Sequence, residues 1–104
     1  MTSFKDRQNA FENRFAHDSE MQFRAEARRN RQLGLWAAGK MGKSDEEADA
    51  YVREVAKADF EEAGDEDVFR KLSSDLGDLA TEAEIRDKMA EFLAQAKAQL
   101  AEEN

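Results

Sequence analysis

The chain has 104 residues, 16 Lys and Arg against 24 Asp and Glu, one His, no Cys and no Pro. That length fits one small domain. The absence of Cys removes any disulfide framework or thiolate-held metal centre, and a single His leaves no multi-His metal site and little scope for His-based triads. No apolar stretch approaches the roughly 18 residues a membrane span needs, and residues 1–9 lack the apolar core of a signal peptide.

Eighteen residues are Ala, while only Val52, Val55, Val68 and Ile85 are aliphatic and β-branched. Such a composition favours helices and argues against a sheet. The charge is uneven: residues 1–43 carry a net +4 and residues 44–104 a net −12. The two parts are expected to attract one another within one molecule.

Residues 1–18 form the first unit. After Met1, their only large apolar side chains are Phe4, Phe11 and Phe15, and spacings of seven and four place these on one face if the segment is helical. Three Phe side chains do not by themselves offset the entropy of ordering some sixteen residues. The segment therefore reads as a mobile arm that orders against a surface, its own or a partner's; the plainer alternative is that it extends the next helix. His17, beside Asp18, has no Ser or Cys partner pattern and is at most a pH-sensitive residue at the base of the arm.

Helical patterning then covers four segments. The first spans about 19–40, with Asp18 or Ser19 as cap, a row of Met21, Ala25, Arg28 and Gln32, and Gly39 and Gly42 at its end. The second, about 45–62, begins at the capping box Ser44-Asp45-Glu46-Glu47, carries Tyr51, Val52, Val55, Ala56 and Phe60, and stops near Ala63-Gly64. The third, about 66–77, is capped by Asp65, built on Val68, Phe69, Leu72 and Leu76, and broken at Gly77-Asp78. The fourth, about 82–102, starts at a second box, Thr81-Glu82-Ala83-Glu84, and repeats Ile85, Met89, Phe92, Leu93, Ala96 and Leu100. Short linkers make sequential neighbours antiparallel. The expected architecture is all-α: a four-helix-bundle-like domain over 19–104 behind an arm at 1–18.

Three constellations mimic chemistry. Gly42-Lys43-Ser44 matches the end of a phosphate-binding loop, but Ala37 stands where the earlier Gly is required and a helix replaces the preceding strand. The simpler reading is a helix stop followed by a cap; Lys40 and Lys43 remain candidate anion contacts beside a helix start. The stretch from Asp59 to Arg70 imitates a calcium loop, yet Ala63 and Arg70 occupy positions that need oxygen ligands. The run Glu61, Glu62, Asp65, Glu66 and Asp67 reads instead as a solvated acidic patch at a helix start. Arg24, Arg28 and Arg31 share a face, with Arg29 beside them; this row suits phosphates or an acidic protein groove, or salt bridges to the acidic body. Net acidity and the lack of interleaved aromatics speak against nucleic acid. No convergent set of catalytic residues emerges, which points away from an enzyme.

Several strings carry a family likeness: Phe11-Glu12, Phe15-Ala16-His17-Asp18, Glu20-Met21-Gln22-Phe23, Ala25-Glu26-Ala27-Arg28-Arg29-Asn30, Leu33-Gly34-Leu35-Trp36-Ala37-Ala38, and the run from Ala58 to Val68. Together they make essentially the whole chain resemble the zeta subunit of the F-type ATP synthase of alphaproteobacteria, an ATPase inhibitor. The resemblance implies a four-helix protein whose amino-terminal segment enters a catalytic interface of the ATPase head, meets the rotating central stalk and blocks rotation in the hydrolysis direction. Carried onto this chain, that element holds Phe4, Arg7, Phe11, Arg14 and Phe15, with the alpha, beta and gamma subunits of the head as partners. The resemblance also implies a cytoplasmic protein, held at the cytoplasmic face of the inner membrane through the synthase. It requires no cofactor, carries a hint of weak nucleotide binding, and leaves the free chain a monomer. A small acidic helical adaptor, or a nucleotide-binding regulator with another partner, is the alternative reading.

Overall fold

The computed structural model describes the backbone of residues 3–60 and 64–103, and side chains from residue 19 onward within those spans. Four helices follow in order: α1 (Ser3–Lys40), α2 (Asp45–Ala58), α3 (Glu66–Leu76) and α4 (Glu82–Glu103), with a 3₁₀ turn at Gly77–Leu79. No strand occurs among the described residues.

The helix expected over 19–40 is the second part of a longer one that begins at Ser3. No Pro and no Gly interrupts residues 3–33, so nothing in the sequence breaks the ladder at Asp18 or Ser19. At the other end, Gly39 lies inside α1, and the stop is Gly42 at φ 71°. There the Lys43 amide donates to the Ala38 carbonyl (2.9 Å) and the Gly42 amide to Gly39 (3.2 Å), a Schellman closure that needs a left-handed residue.

α2 ends at Ala58, earlier than expected. Residues 59 and 60 form a turn, and 61 and 62 lie outside the described residues. Its amino end carries the expected reach-back: the Ser44 amide and hydroxyl both donate to Glu47 Oε1, at 3.4 and 2.8 Å. These bonds, the hydroxyl's above all, hold the Glu47 carboxyl below its ordinary value. α3 is broken at Gly77, φ 54°. α4 starts where Thr81 Oγ1 accepts from the Glu84 amide at 3.1 Å; the Glu84 carboxylate, expected to fold back on its own cap, reaches Lys40 instead at 3.3 Å.

Cross-helix contacts fix directions. Along α1, Gly34 meets Val52 and Asn30 bonds Asp59, so α1 and α2 run antiparallel. Arg28 bonds Gln99 while Lys40 pairs with Glu84, so α1 and α4 are antiparallel too. The core joins Leu33, Ala37 and Ala38 of α1 to Tyr51 and Val55, to Val68, Phe69, Leu72 and Leu76, and to Ile85 and Met89. A smaller cluster continues it through Ala25, Ala96 and Leu100, with Met21 and Leu93 packed alongside.

The buried row of α1 is Ala25, Arg29, Leu33 and Ala37, flanked by Asn30 and Ala38. The row expected from Met21, Ala25, Arg28 and Gln32 is therefore displaced: Arg28 is half-buried at the edge and Gln32 is exposed. The buried face of α1 thus alternates small Ala side chains with two large ones, Arg29 and Leu33.

Candidate functional site

Of the expected arm residues, Phe4, Arg7, Phe11, Arg14 and Phe15 belong to the amino-terminal stretch of α1, and their side chains lie outside the described residues, as does that of His17. The site residues that can be placed lie on α1 from Glu20 onward and on the elements packed against it.

Arg29 is the residue that the patterning undervalued. Counted with the exposed row, it is 1 % exposed. Its Nη1 lies 2.9 Å from Asp65 Oδ1 and its Nη2 3.8 Å from Asp59 Oδ1. Nε and Nη2 also donate to Asn30 Oδ1, at 3.2 and 3.0 Å, while Asn30 Nδ2 donates to Asp59 Oδ2 at 2.9 Å. One buried guanidinium thus ties α1 to the end of α2 and the start of α3. Its position was readable in principle, four residues after Ala25 and four before Leu33.

The same network corrects two expectations. Asp65, at the N-cap of α3, makes no side-chain cap bond, because the buried guanidinium takes its carboxylate. The acidic run is not simply solvated: Asp67 is buried and pairs with Arg70, and Glu66 accepts two bonds from Arg86 at 2.9 and 3.2 Å. The Arg86 guanidinium, which also stacks over Phe69 at 3.8 Å, holds the Glu66 carboxyl below its usual value.

The exposed arginines occupy another face. Arg24 pairs with Glu20 on its own helix at 2.8 Å. Arg28 reaches the carboxy-terminal end of α4, 3.3 Å from Glu103 Oε1 and 3.2 Å from Gln99 Oε1. Arg31 is exposed and makes no ion pair or hydrogen bond among the described residues. These three line a groove between α1 and α4 whose apolar part is Phe23, Ala27 and Leu100. A second groove lies on the other side of Phe23, bounded by Asn30, Asp59, Phe60 and Asp65. Phe23 and Phe60 are 60 % and 76 % exposed, unusual for side chains of that size.

Lys40 and Lys43 are engaged by different partners. Lys40 pairs with Glu84, lies 5.6 Å from the Trp36 ring centre and bonds the Leu79 carbonyl at 3.4 Å; Lys43 lies 5.8 Å from the Tyr51 ring centre. Tyr51 in turn donates to Asp75 Oδ2 at 2.8 Å. No group of three or more His, Cys, Asp or Glu poised for a metal occurs among the described residues, and none of their helices is long and apolar enough to cross a membrane. The expected attraction between the basic and acidic halves is visible as cross-helix pairs: Arg28 with Glu103, Arg29 with Asp59 and Asp65, Lys40 with Glu84.

What the site offers is a basic, partly apolar helix face and two exposed aromatics, an arrangement suited to holding a protein partner. The family profile described as ATPase inhibitor subunit zeta matches residues 1–99. The chain belongs to this zeta family. Membership makes it a member of a family of ATPase inhibitor subunits, with the ATP synthase as partner. No curated protein sequence matches the chain. Among solved structures, one determined by solution NMR is 58 % identical, with a TM-score of 0.72, covering 81 % of this chain and 99 % of that one. The fold of the chain is thus matched by a solved relative.

Proposed function

We propose that this zeta-family chain is a non-catalytic inhibitor of the F-type ATP synthase that stops ATP hydrolysis by placing its amino-terminal segment, as a helix, in a catalytic interface of the head next to the rotating stalk. The observation that carries the reading is the family match over residues 1–99, which includes the whole of that segment. The four-helix body, residues 19–104, holds the segment in place, and the alpha, beta and gamma subunits receive it.

Physically, the step is insertion and wedging. α1 is one helix from Ser3 to Lys40, about 57 Å at 1.5 Å per residue, so force on its amino-terminal part is carried directly into the packed body. In sequence, Phe4, Phe11 and Phe15 supply an apolar stripe that gains by burial between subunits, and Arg7 and Arg14 set its register against carboxylates of the groove. A segment buried in this way opposes the interface closure that hydrolysis needs. The protein works in the cytoplasm, on the cytoplasmic face of the inner membrane, and needs no cofactor; Lys40 and Lys43 are its candidate contacts for a weakly bound nucleotide. The reading is tested by adding the full chain, or a chain with Phe4, Phe11 and Phe15 all replaced by Ala, to an inhibitor-depleted ATPase head. The first should suppress ATP hydrolysis and the second should not; equal inhibition by both would contradict the proposed wedge.

A further inference from the structure

The groove between α1 and α4 has a composition that the packing of the body does not require. Arg24, Arg28 and Arg31 stand at i, i+4 and i+7 of one helix, a basic face roughly 10 Å long at 1.5 Å per residue. Each is spent lightly, or not at all, on the fold. Arg31 has no polar partner among the described residues, Arg24 bonds only a residue of its own helix with both side chains over half exposed, and Arg28 is held by Gln99 and Glu103 near the end of α4. Beside this row Phe23 stays 60 % exposed, with Ala27 and Leu100 completing an apolar floor. Arg beside an exposed aromatic is the composition of binding surfaces rather than of solvated ones.

The charge selects the occupant. Three Arg against the single carboxylate of Glu103 make the lining basic on a chain of net charge −8, so the groove repels cationic partners while attracting anionic ones. Arg24 lies six residues beyond Asp18, the end of the proposed inhibitory segment, on the same continuous helix. Whatever surface holds that segment is therefore brought within about 9 Å of the first guanidinium. We propose that this groove is a second docking site, which seats an acidic amphipathic helix of the ATPase head bordering the catalytic interface. Carboxylates of that helix face Arg24, Arg28 and Arg31, and its apolar seam covers Phe23. The proposal rests on the inhibitor reading. In it, Glu103 competes internally: its carboxylate occupies Arg28 until the partner arrives.

The test uses the full chain in three forms, the natural sequence, Arg24→Glu with Arg31→Glu, and Glu103→Gln. Association with the immobilised, inhibitor-depleted head is followed at low and at physiological salt, and hydrolysis is measured on the same preparations. The double reversal should slow association about tenfold at low salt and flatten its salt dependence, as expected when steering charges are reversed. Glu103→Gln should speed association about two- to threefold by releasing Arg28, a gain that a folding defect does not produce. Rates that are equal across the three forms overturn the groove while leaving the inhibitor reading intact. The expected order of rates without any loss of hydrolysis supports the groove and overturns the inhibitor reading. No association at all overturns both, and faster association of each chain with itself than with the head assigns the groove to a second copy and overturns the proposal.

Discussion

Gly34, in the middle of α1, faces Val52 of α2 so closely that a Cβ at Gly34 would lie 2.9 Å from both the Cα and the Cγ2 of Val52. Glycine in a helix interior is ordinarily a weakness of about 1 kcal/mol relative to Ala. Here it sets the distance between the two helices, because one of the opposing atoms is backbone and cannot rotate away. Gly34→Ala should therefore destabilise the fold by about 1–3 kcal/mol despite its better helix propensity. Adding Val52→Ala should recover only part of the loss, since the backbone of residue 52 still stands against the added methyl group. Urea unfolding of the parent and the two variants checks this; a Gly34→Ala protein more stable than the parent would contradict the close crossing.

Arg29 provides a second, electrostatic clamp. Its guanidinium is buried, while Asp59 and Asp65 keep some access to water, with side chains 19 % and 45 % exposed. Removing the cation should leave hydratable carboxylates but a vacated interior site. Arg29→Ala is expected to cost about 3–5 kcal/mol, in the range for breaking a buried pair. Arg29→Met should cost less, because it refills the volume, and Asp65→Asn less again, because that carboxylate is the most exposed of the set. Chemical denaturation ranks them; an Arg29→Ala protein as stable as the parent would dismiss the clamp.

Tyr51 makes alkaline pH informative. Burial first, and then its bond to Asp75, push its hydroxyl far above the ordinary tyrosine value near 10. A group whose folded value is raised contributes fully below the unfolded value and loses that contribution as pH climbs past it. Stability should fall as pH rises above about 10, when the unfolded chain ionises Tyr51 and the folded chain does not. Tyr51→Phe should be about 1 kcal/mol less stable at neutral pH, from the lost hydrogen bond, and should close that gap as pH rises. Parallel stability curves up to pH 11 would contradict this assignment.

Thr81 is the one side chain that caps the start of α4 through the Glu84 amide. Thr81→Ala should cost about 1 kcal/mol and Thr81→Ser very little. Thermal unfolding separates the two, and equal losses for both would show that the hydroxyl does not do the capping.

Much of this fold was legible because its signals are local. Ser44 with Glu47, Thr81 with the Glu84 amide, and Gly77 mark ends that backbone chemistry dictates, and the spacing of Ile85, Met89, Ala96 and Leu100 identifies the buried face of α4. What was missed depends on which helix meets which. Arg29 shares its sequence neighbourhood with exposed arginines, and only the arrival of Asp59 and Asp65 makes burial tolerable. Gly34 gives no hint of its role until Val52 is opposite. The amino-terminal segment has an apolar face but few large side chains, so it reads as a partner-seeking arm, while the absence of any helix-breaking residue also lets it continue the next helix. The spacing of Arg24, Arg28 and Arg31 marks a shared face, whereas the contribution of Phe23 and Leu100 to their groove needs α4 in place.

The proposed inhibition resides in the amino-terminal segment. It is tested most directly by ATP hydrolysis of the inhibitor-depleted head from the source organism, titrated with the full chain and with a chain lacking residues 1–18. Hydrolysis should be lost with the full chain and retained with the shortened one. Undiminished hydrolysis in the presence of the folded full chain would contradict it, as would equal inhibition by the two.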